Sequence, residues 1–273
     1  MSEPTAAQQA EEPGVLITRN GGTATITLNR PRQMNSLDVA TKEALLAAVT
    51  DLADDRDVRC VVITGTGRAF CVGQDLKEHV GLLESGGSDA LFRTVPEHYN
   101  PIVTAVATMP KPVVAAVNGV AAGAGASLAF ACDYRLLADT AGFNLAFTGI
   151  SLSCDSGSSW TLPRLVGRAK AIELLYEPRT LDAAESLTLG LATRVVPADD
   201  LASEVGALAA RLAAGPTAAF GAVRRSVAFA ASHSLEESLA FEGEMMTLTG
   251  STEDHRDAVA SFVAKEKPTF QGR

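Results

Sequence analysis

The chain has 273 residues, 47% hydrophobic and 20% charged, which is the composition of a folded globular protein and not of a disordered one. A net charge of −9 with no local Lys/Arg cluster argues against nucleic acid as a partner, although a few cations can still hold an anionic ligand. No apolar run reaches membrane-spanning length, and the four histidines (His79, His98, His233, His255) lack metal-ligand spacing.

Residues 1–13, MSEPTAAQQAEEP, carry neither a basic region nor an apolar stretch and read as a disordered tail, not a signal peptide. Four cysteines without a CxxC pair, with Cys60 and Cys132 in apolar runs, suggest reduced, buried thiols of a cytoplasmic protein. Alternation over Val15–Asn20 and Thr23–Arg30, split by Gly21-Gly22, predicts a β-hairpin. Asp38 then caps an Ala/Leu-rich helix reaching about Leu52. VRCVVITG, from Val58, and PVVAAVNG, from Pro112, are apolar almost throughout, as strands covered on both faces are. Strands alternating with helices give an α/β core over about 14–200. From about Leu201 the strand signals stop, and 201–273 reads as helical: one helix opened by Pro216, one over Ser232–Met246, and one from Thr252 to Lys265 with Thr252 as N-cap.

Two strand-to-helix junctions carry the chemistry. In VVITGTGRAFCVGQDLKEH a strand ends at Gly65 and a turn leads through Phe70, Cys71, Val72 and Gly73 towards a helix. In VVAAVNGVAAGAGASLAFACD the strand ends near Asn118, and Gly119, Gly123 and Gly125 precede a helix from about Ala126. Small residues at such turns allow a ligand close to the backbone, and two amides converging on one carbonyl oxygen make an oxyanion hole. Tight strand-helix packing explains a Gly/Ala run equally well. A dinucleotide fingerprint fits poorly, because Leu128 stands at its third glycine, and no P-loop pattern is present.

LNRPRQMNSLD, AFCVGQDL, KPVVAAVNGVAAGAGASLAFACDYRLLAD, LPRLVGRAKAIEL, GLATRVVP and TEDHRDAVASFVAKEKPTF occur in an order that resembles the enoyl-CoA hydratase/isomerase (crotonase) family. The resemblance implies an α/β fold with a crotonase-like β-β-α spiral core and a helical C-terminal region that mediates trimerisation, as a homotrimer or hexamer. It implies a CoA thioester substrate, with coenzyme A part of that substrate and no separate cofactor. It places the oxyanion-hole amides at Val72 and Ala124, lines the CoA pocket with Gln74, Asp75 and Leu76, and brings Arg32 near the CoA phosphates, where an ordinary solvated arginine is the alternative.

Hydratases of this family use two glutamates, and the corresponding positions here hold Ser127 and Phe147, which are expected to line the substrate site. Neither can act as a base at neutral pH without help. The segment ISLSCDSGSSWTLPRLVG instead resembles 1,2-epoxyphenylacetyl-CoA isomerase-like members, in which the Asp matching Asp155 is the single acid/base. One carboxylate beside an enolate can move a proton between two carbons, which is isomerisation. Asp155 before Ser-Gly can equally be a helix N-cap. Trp160 is expected either to wall the acyl pocket or to pack in the core. Glu78 and His79 could approach the acyl chain or sit on a solvated helix face, and Asp133 reads as a structural hydrogen-bonding residue. The leading expectation is an isomerase of enoyl-CoA or ring acyl-CoA substrates; a weak hydratase and a non-catalytic acyl-CoA-binding homologue are the alternatives.

Overall fold

The two apolar runs become β3 (Cys60–Gly65) and β5 (Val113–Val117), and every residue of β5 is buried. They form the middle of a six-stranded sheet of order β1-β2-β3-β5-β7-β10, completed by β1 (Val15–Asn20), β2 (Thr23–Leu28), β7 (Tyr134–Ala138) and β10 (Arg194–Val196). β1 and β2 pair antiparallel as the expected hairpin, and all other neighbours in this sheet are parallel. The structure, a computed structural model, describes residues 12–84 and 92–273, so the expected tail lies almost wholly outside the described residues.

Between visits to this sheet the chain crosses into a second, four-stranded one, β4-β6-β8-β9, built from β4 (Ala69–Cys71), β6 (Val120–Ala122), β8 (Gly142–Asn144) and β9 (Thr180–Asp182). Strands of three residues are too short to show an alternation, which is why periodicity does not reveal them. The succession of large-sheet strand, corner, small-sheet strand and helix is a β-β-α spiral. One consequence governs the site. β4 and β6, from successive turns of the spiral, are parallel neighbours, with Ala69 opposite Val120 and Cys71 opposite Ala121. The turns that follow them therefore lie side by side.

Helices cover the sheets. α1 (Val39–Asp54) starts at Asp38, whose carboxylate accepts from the Thr41 amide at 2.8 Å, and it buries Leu45, Val49 and Leu52. α2 (Leu76–Glu84) follows β4, and a π-helical turn, Val95–Tyr99, runs into α3 (Asn100–Thr108). α4 (Ala124–Phe130) follows β6 directly, two residues earlier than the sequence pattern suggests, and all of it is buried. Further on lie α5 (Ser158–Val166), α6 (Arg168–Tyr176), α7 (Ala183–Thr188) and α8 (Leu201–Ala213). α8 lays Val205, Leu208 and Leu212 against β3, β5 and β7. α9 (Thr217–Ala230), α10 (Leu235–Gly250) and α11 (Glu253–Ala264) complete the chain. α10 starts later than expected because Ser234 and Glu237 form a capping box there, whereas Thr252 caps α11 as expected. Asp133 has the structural role anticipated for it, accepting from the Val113 amide and from Arg224, each at 2.8 Å. Among the described residues no helix is long and apolar enough to cross a membrane.

Backbones approach closely at Gly125, where an added β-carbon would stand 2.1 Å from the Cys71 carbonyl oxygen. Backbone cannot yield as a side-chain tip can. Gly125→Ala should lower the free energy of unfolding by about 3 kcal/mol or prevent folding, as overpacking does. Gly81→Ala, on the exposed face of α2 with nothing within 4 Å, should instead raise it by about 0.5–1 kcal/mol. Urea denaturation of both variants measures the contrast.

Candidate active site

After β4 the chain turns through Val72 and Gly73, with Gly73 at φ +82°, a left-handed conformation suited to glycine. A β-carbon there would lie 2.9 Å from the Ala122 carbonyl oxygen and 3.1 Å from the Ala124 nitrogen. The two turns are thus pressed together, bringing Val72 and Ala124 into the wall of one cavity of about 410 Å³. Ala124 is the first residue of α4, so its N–H has no acceptor within its own helix.

Tyr99, Phe147, Ile150, Leu152 and Asp155 also line this cavity. Asp155 is partly buried, and burial pushes its carboxyl above the usual range despite a hydrogen bond from Ser156 Oγ at 2.9 Å. Its turn is tight: Ser156 and Gly157 both have positive φ, +52° and +79°. The N-cap of α5 is Gly157, and no side chain caps that helix. The alternative role for Asp155, a helix cap, is therefore absent from this structure.

Residues 18–273 match the enoyl-CoA hydratase/isomerase family. The chain belongs to it. It is 38% identical over 252 residues to 1,2-epoxyphenylacetyl-CoA isomerase of Escherichia coli, spanning 92% of this chain and 96% of that protein. It is 32% identical over 252 residues to 4-chlorobenzoyl coenzyme A dehalogenase-2 of an Arthrobacter species, covering 92% and 91% of the two chains. The crystal structure of an enoyl-CoA hydratase from Bacillus anthracis superposes with a TM-score of 0.90 at 30% identity, over 95% of this chain and all of that one. The protein is thus an acyl-CoA enzyme of the enoyl-CoA hydratase/isomerase family, with relatives named both isomerase and hydratase.

The two turns and Asp155 share one cavity with Arg32, Gln74, Asp75, Leu76 and Phe147. Phe147 stands where the resemblance expects a hydratase glutamate and presents a nearly buried ring. Two expected lining residues lie elsewhere. Ser127, a residue of α4, is fully buried, bonded to the Gly123 carbonyl and to Ser158, and does not line the cavity. Trp160 projects from α5 into a separate cavity of about 630 Å³ shared with α3 and α9, where the Arg164 guanidinium covers its ring at 4.1 Å.

Asp75 is the other carboxylate in the wall. Burial alone would raise its pKa, but bonds from Ser36 at 2.9 Å and from Arg30 at 3.0 Å, with the Lys77 and Glu78 amides, outweigh this and hold it below the usual value. Glu78 does not line the cavity; it accepts from the Val39 amide and from Gln74, and pairs with Lys42 at 3.5 Å. His79 is likewise outside the lining. The Cys71 thiol, fully buried behind the first turn, is pushed up to about 12 by burial and is no nucleophile.

Tyr99 and Lys77 line the cavity without having drawn notice in the sequence. Tyr99 donates to Gln74 Oε1 at 2.6 Å, and the same oxygen accepts from Lys42 Nζ at 3.2 Å. Burial, and next the negative field of Asp155, push the Tyr99 phenol up, so it remains a donor. Nothing in a linear pattern marks a tyrosine delivered by a π-helical turn.

The direction of the Asp155 shift has a consequence for stability. The folded chain holds this proton more tightly than the unfolded chain, so ionisation opposes folding above the folded-state pKa. The penalty fades as pH falls through that value towards the roughly 3.9 of a free Asp. Asp155→Asn should melt higher than the parent near pH 8 and converge with it near pH 4. A capping carboxylate would give the opposite, a variant that melts lower at pH 8, and calorimetry at the two pH values distinguishes them.

Proposed function

We propose that the enzyme isomerises an enoyl-CoA or a ring acyl-CoA through an enolate, with Asp155 as the single group that removes and returns the proton. The observation that carries this reading is the contrast between the two cavity carboxylates. Asp75 is occupied by Arg30 and Ser36, whereas Asp155 has no ion pair among the described residues and its affinity for a proton is raised by burial. A base whose pKa moves towards neutrality is better matched to proton transfer at working pH.

In this mechanism the Asp155 carboxylate takes a proton from the carbon beside the thioester of a 3-enoyl-CoA. The C–H electrons form the enolate, placing negative charge on the thioester oxygen. The Val72 and Ala124 N–H groups hold that oxygen, each donor contributing roughly 2.7–4 kcal/mol by analogy with other enzymes. The carboxylic acid then protonates the fourth carbon, the double bond settles between the second and third, and Asp155 is restored. No water enters the balance. Adding water would need a second group to orient it, and Ser127 and Phe147 supply none.

The CoA moiety would reach the rim, where Arg32 and Lys77 are exposed and their side chains have no hydrogen-bond or ion-pair partner among the described residues. Coenzyme A enters as part of the substrate, and the reaction as written needs no other cofactor. A homotrimer, alone or as a hexamer, would cover Val223, Val227, Leu239, Met246 and Phe262, which α9 to α11 leave exposed.

Isomerisation of a 3-enoyl-CoA should be measurable, while hydration of crotonyl-CoA by the same preparation should be slower by about 10²–10⁴-fold, the usual contribution of a general acid-base. Efficient hydration would overturn the assignment. The double variant Arg32→Ala, Lys77→Ala should weaken the Kd for an acyl-CoA by about tenfold and flatten its salt dependence, with kcat nearly unchanged, because phosphate contacts act far from the reacting carbons. Titration calorimetry at two ionic strengths reads this; unaltered affinity would remove the two cations from the CoA site.

A further inference from the structure

Ser127 and Ser158 are both fully buried, and their hydroxyl oxygens are 2.5 Å apart. Ser127 Oγ also lies 3.0 Å from the carbonyl oxygen of Gly123. Each hydroxyl has one proton to donate. Ser158 Oγ has no other acceptor among the described residues, so its proton goes to Ser127, and the proton of Ser127 goes to Gly123. Proton counting thus gives the chain a direction: from Ser158 through Ser127 to the Gly123 carbonyl.

That carbonyl is one end of the peptide group whose other end is the Ala124 N–H. Peptide resonance links the two ends, so a bond accepted at the oxygen draws electron density from the nitrogen and makes its N–H a stronger donor. Gly123 O already accepts from the Ser127 amide at 3.1 Å, and the hydroxyl adds a second bond to the same oxygen. Ser158 meanwhile donates its own amide to the Asp155 carbonyl at 3.0 Å. Ser158 is therefore bonded directly to the Asp155 turn and, through Ser127, to the Ala124 peptide.

We infer that Ser158 and Ser127 are positioning residues that polarise the Ala124 N–H and fix it relative to Asp155, strengthening the enolate donor at the position where the hydratase pattern has a glutamate. The inference rests on the reading of Ala124 as an oxyanion donor. The same geometry read as packing alone would join α4 to α5 without affecting a bound carbonyl.

Infrared difference spectroscopy of a saturated acyl-CoA carrying a ¹³C-labelled thioester carbonyl separates these cases. In the parent protein the carbonyl band should fall below its position in solution. In Ser127→Ala it should return part of the way, with kcat for isomerisation reduced about tenfold, less than the loss of a whole oxyanion donor, and Kd within about two-fold. Ser158→Ala, which leaves the Ser127 proton on its acceptor, should move the band in the same direction by less, and provides the test should Ser127→Ala lose its fold. Ser127→Ala, Ser158→Ala should match Ser127→Ala, since the chain passes through Ser127. A band displaced in the parent protein but unchanged in the folded variants would refute the relay and leave the oxyanion hole standing. No displacement in the parent protein would refute the oxyanion reading itself.

Discussion

The parallel pairing of β4 with β6 is the constraint on which the site depends. Each strand has three residues and could not stand alone, yet their adjacency forces the turn at Val72 and the start of α4 at Ala124 into contact. The approach is possible because Gly73 and Gly125 offer no β-carbon to the carbonyls of Ala122 and Cys71. Two backbone amides from distant parts of the chain are thus held by two closely packed turns, and their placement does not rely on any side chain that could rotate. Preorganisation of this kind is what makes a backbone N–H effective towards developing charge.

Around that fixed frame the side chains divide by how they are charged. On one side Arg30, Asp38 and Asp75 form a paired cluster, with Arg30 2.9 Å from Asp38 and 3.0 Å from Asp75. Behind it the Lys42 ammonium, almost fully buried, bonds to Gln74 and Thr94; burial lowers its pKa while Glu78 pulls it back. Tyr99 is tied to the same Gln74. Asp155, by contrast, has no ion pair among the described residues and accepts from the Ser156 hydroxyl and its own amide. Of the two carboxylates that line the cavity, Asp75 is therefore satisfied by its neighbours and Asp155 is left available, an asymmetry that suits single-base chemistry better than it suits a structural ion-pair network.

Much of this organisation is legible in the sequence, and the exceptions have physical reasons. The hairpin, β3, β5 and the caps Asp38 and Thr252 follow from alternation, apolar runs and local hydrogen bonding, all of which are short-range signals. The small sheet is silent because three residues carry no period, although it is what aligns the turns. The roles proposed for Val72, Ala124 and Asp155 come from family resemblance and not from propensity, since a backbone donor leaves no mark in side-chain chemistry and an Asp before Ser-Gly reads equally as a helix cap. Trp160 illustrates the limit in the other direction: five residues from Asp155 in sequence, it faces a different cavity because α5 begins between them. Ser127, expected to line the site in place of a glutamate, is instead a buried hydroxyl bonded to Ser158, an arrangement that depends on how α4 meets α5.

The account makes Asp155 the base for a carbon acid held by two amides, a claim more elementary than any full turnover. It can be tested on a saturated acyl-CoA, which can neither isomerise nor take up water but can still lose the proton beside its thioester. In D₂O, NMR should show deuterium entering that carbon in the presence of the enzyme and essentially none with Asp155→Asn, at equal occupancy of the site. Exchange proceeding at the same rate in the Asp155→Asn protein would show that another group removes the proton, and the account would be wrong.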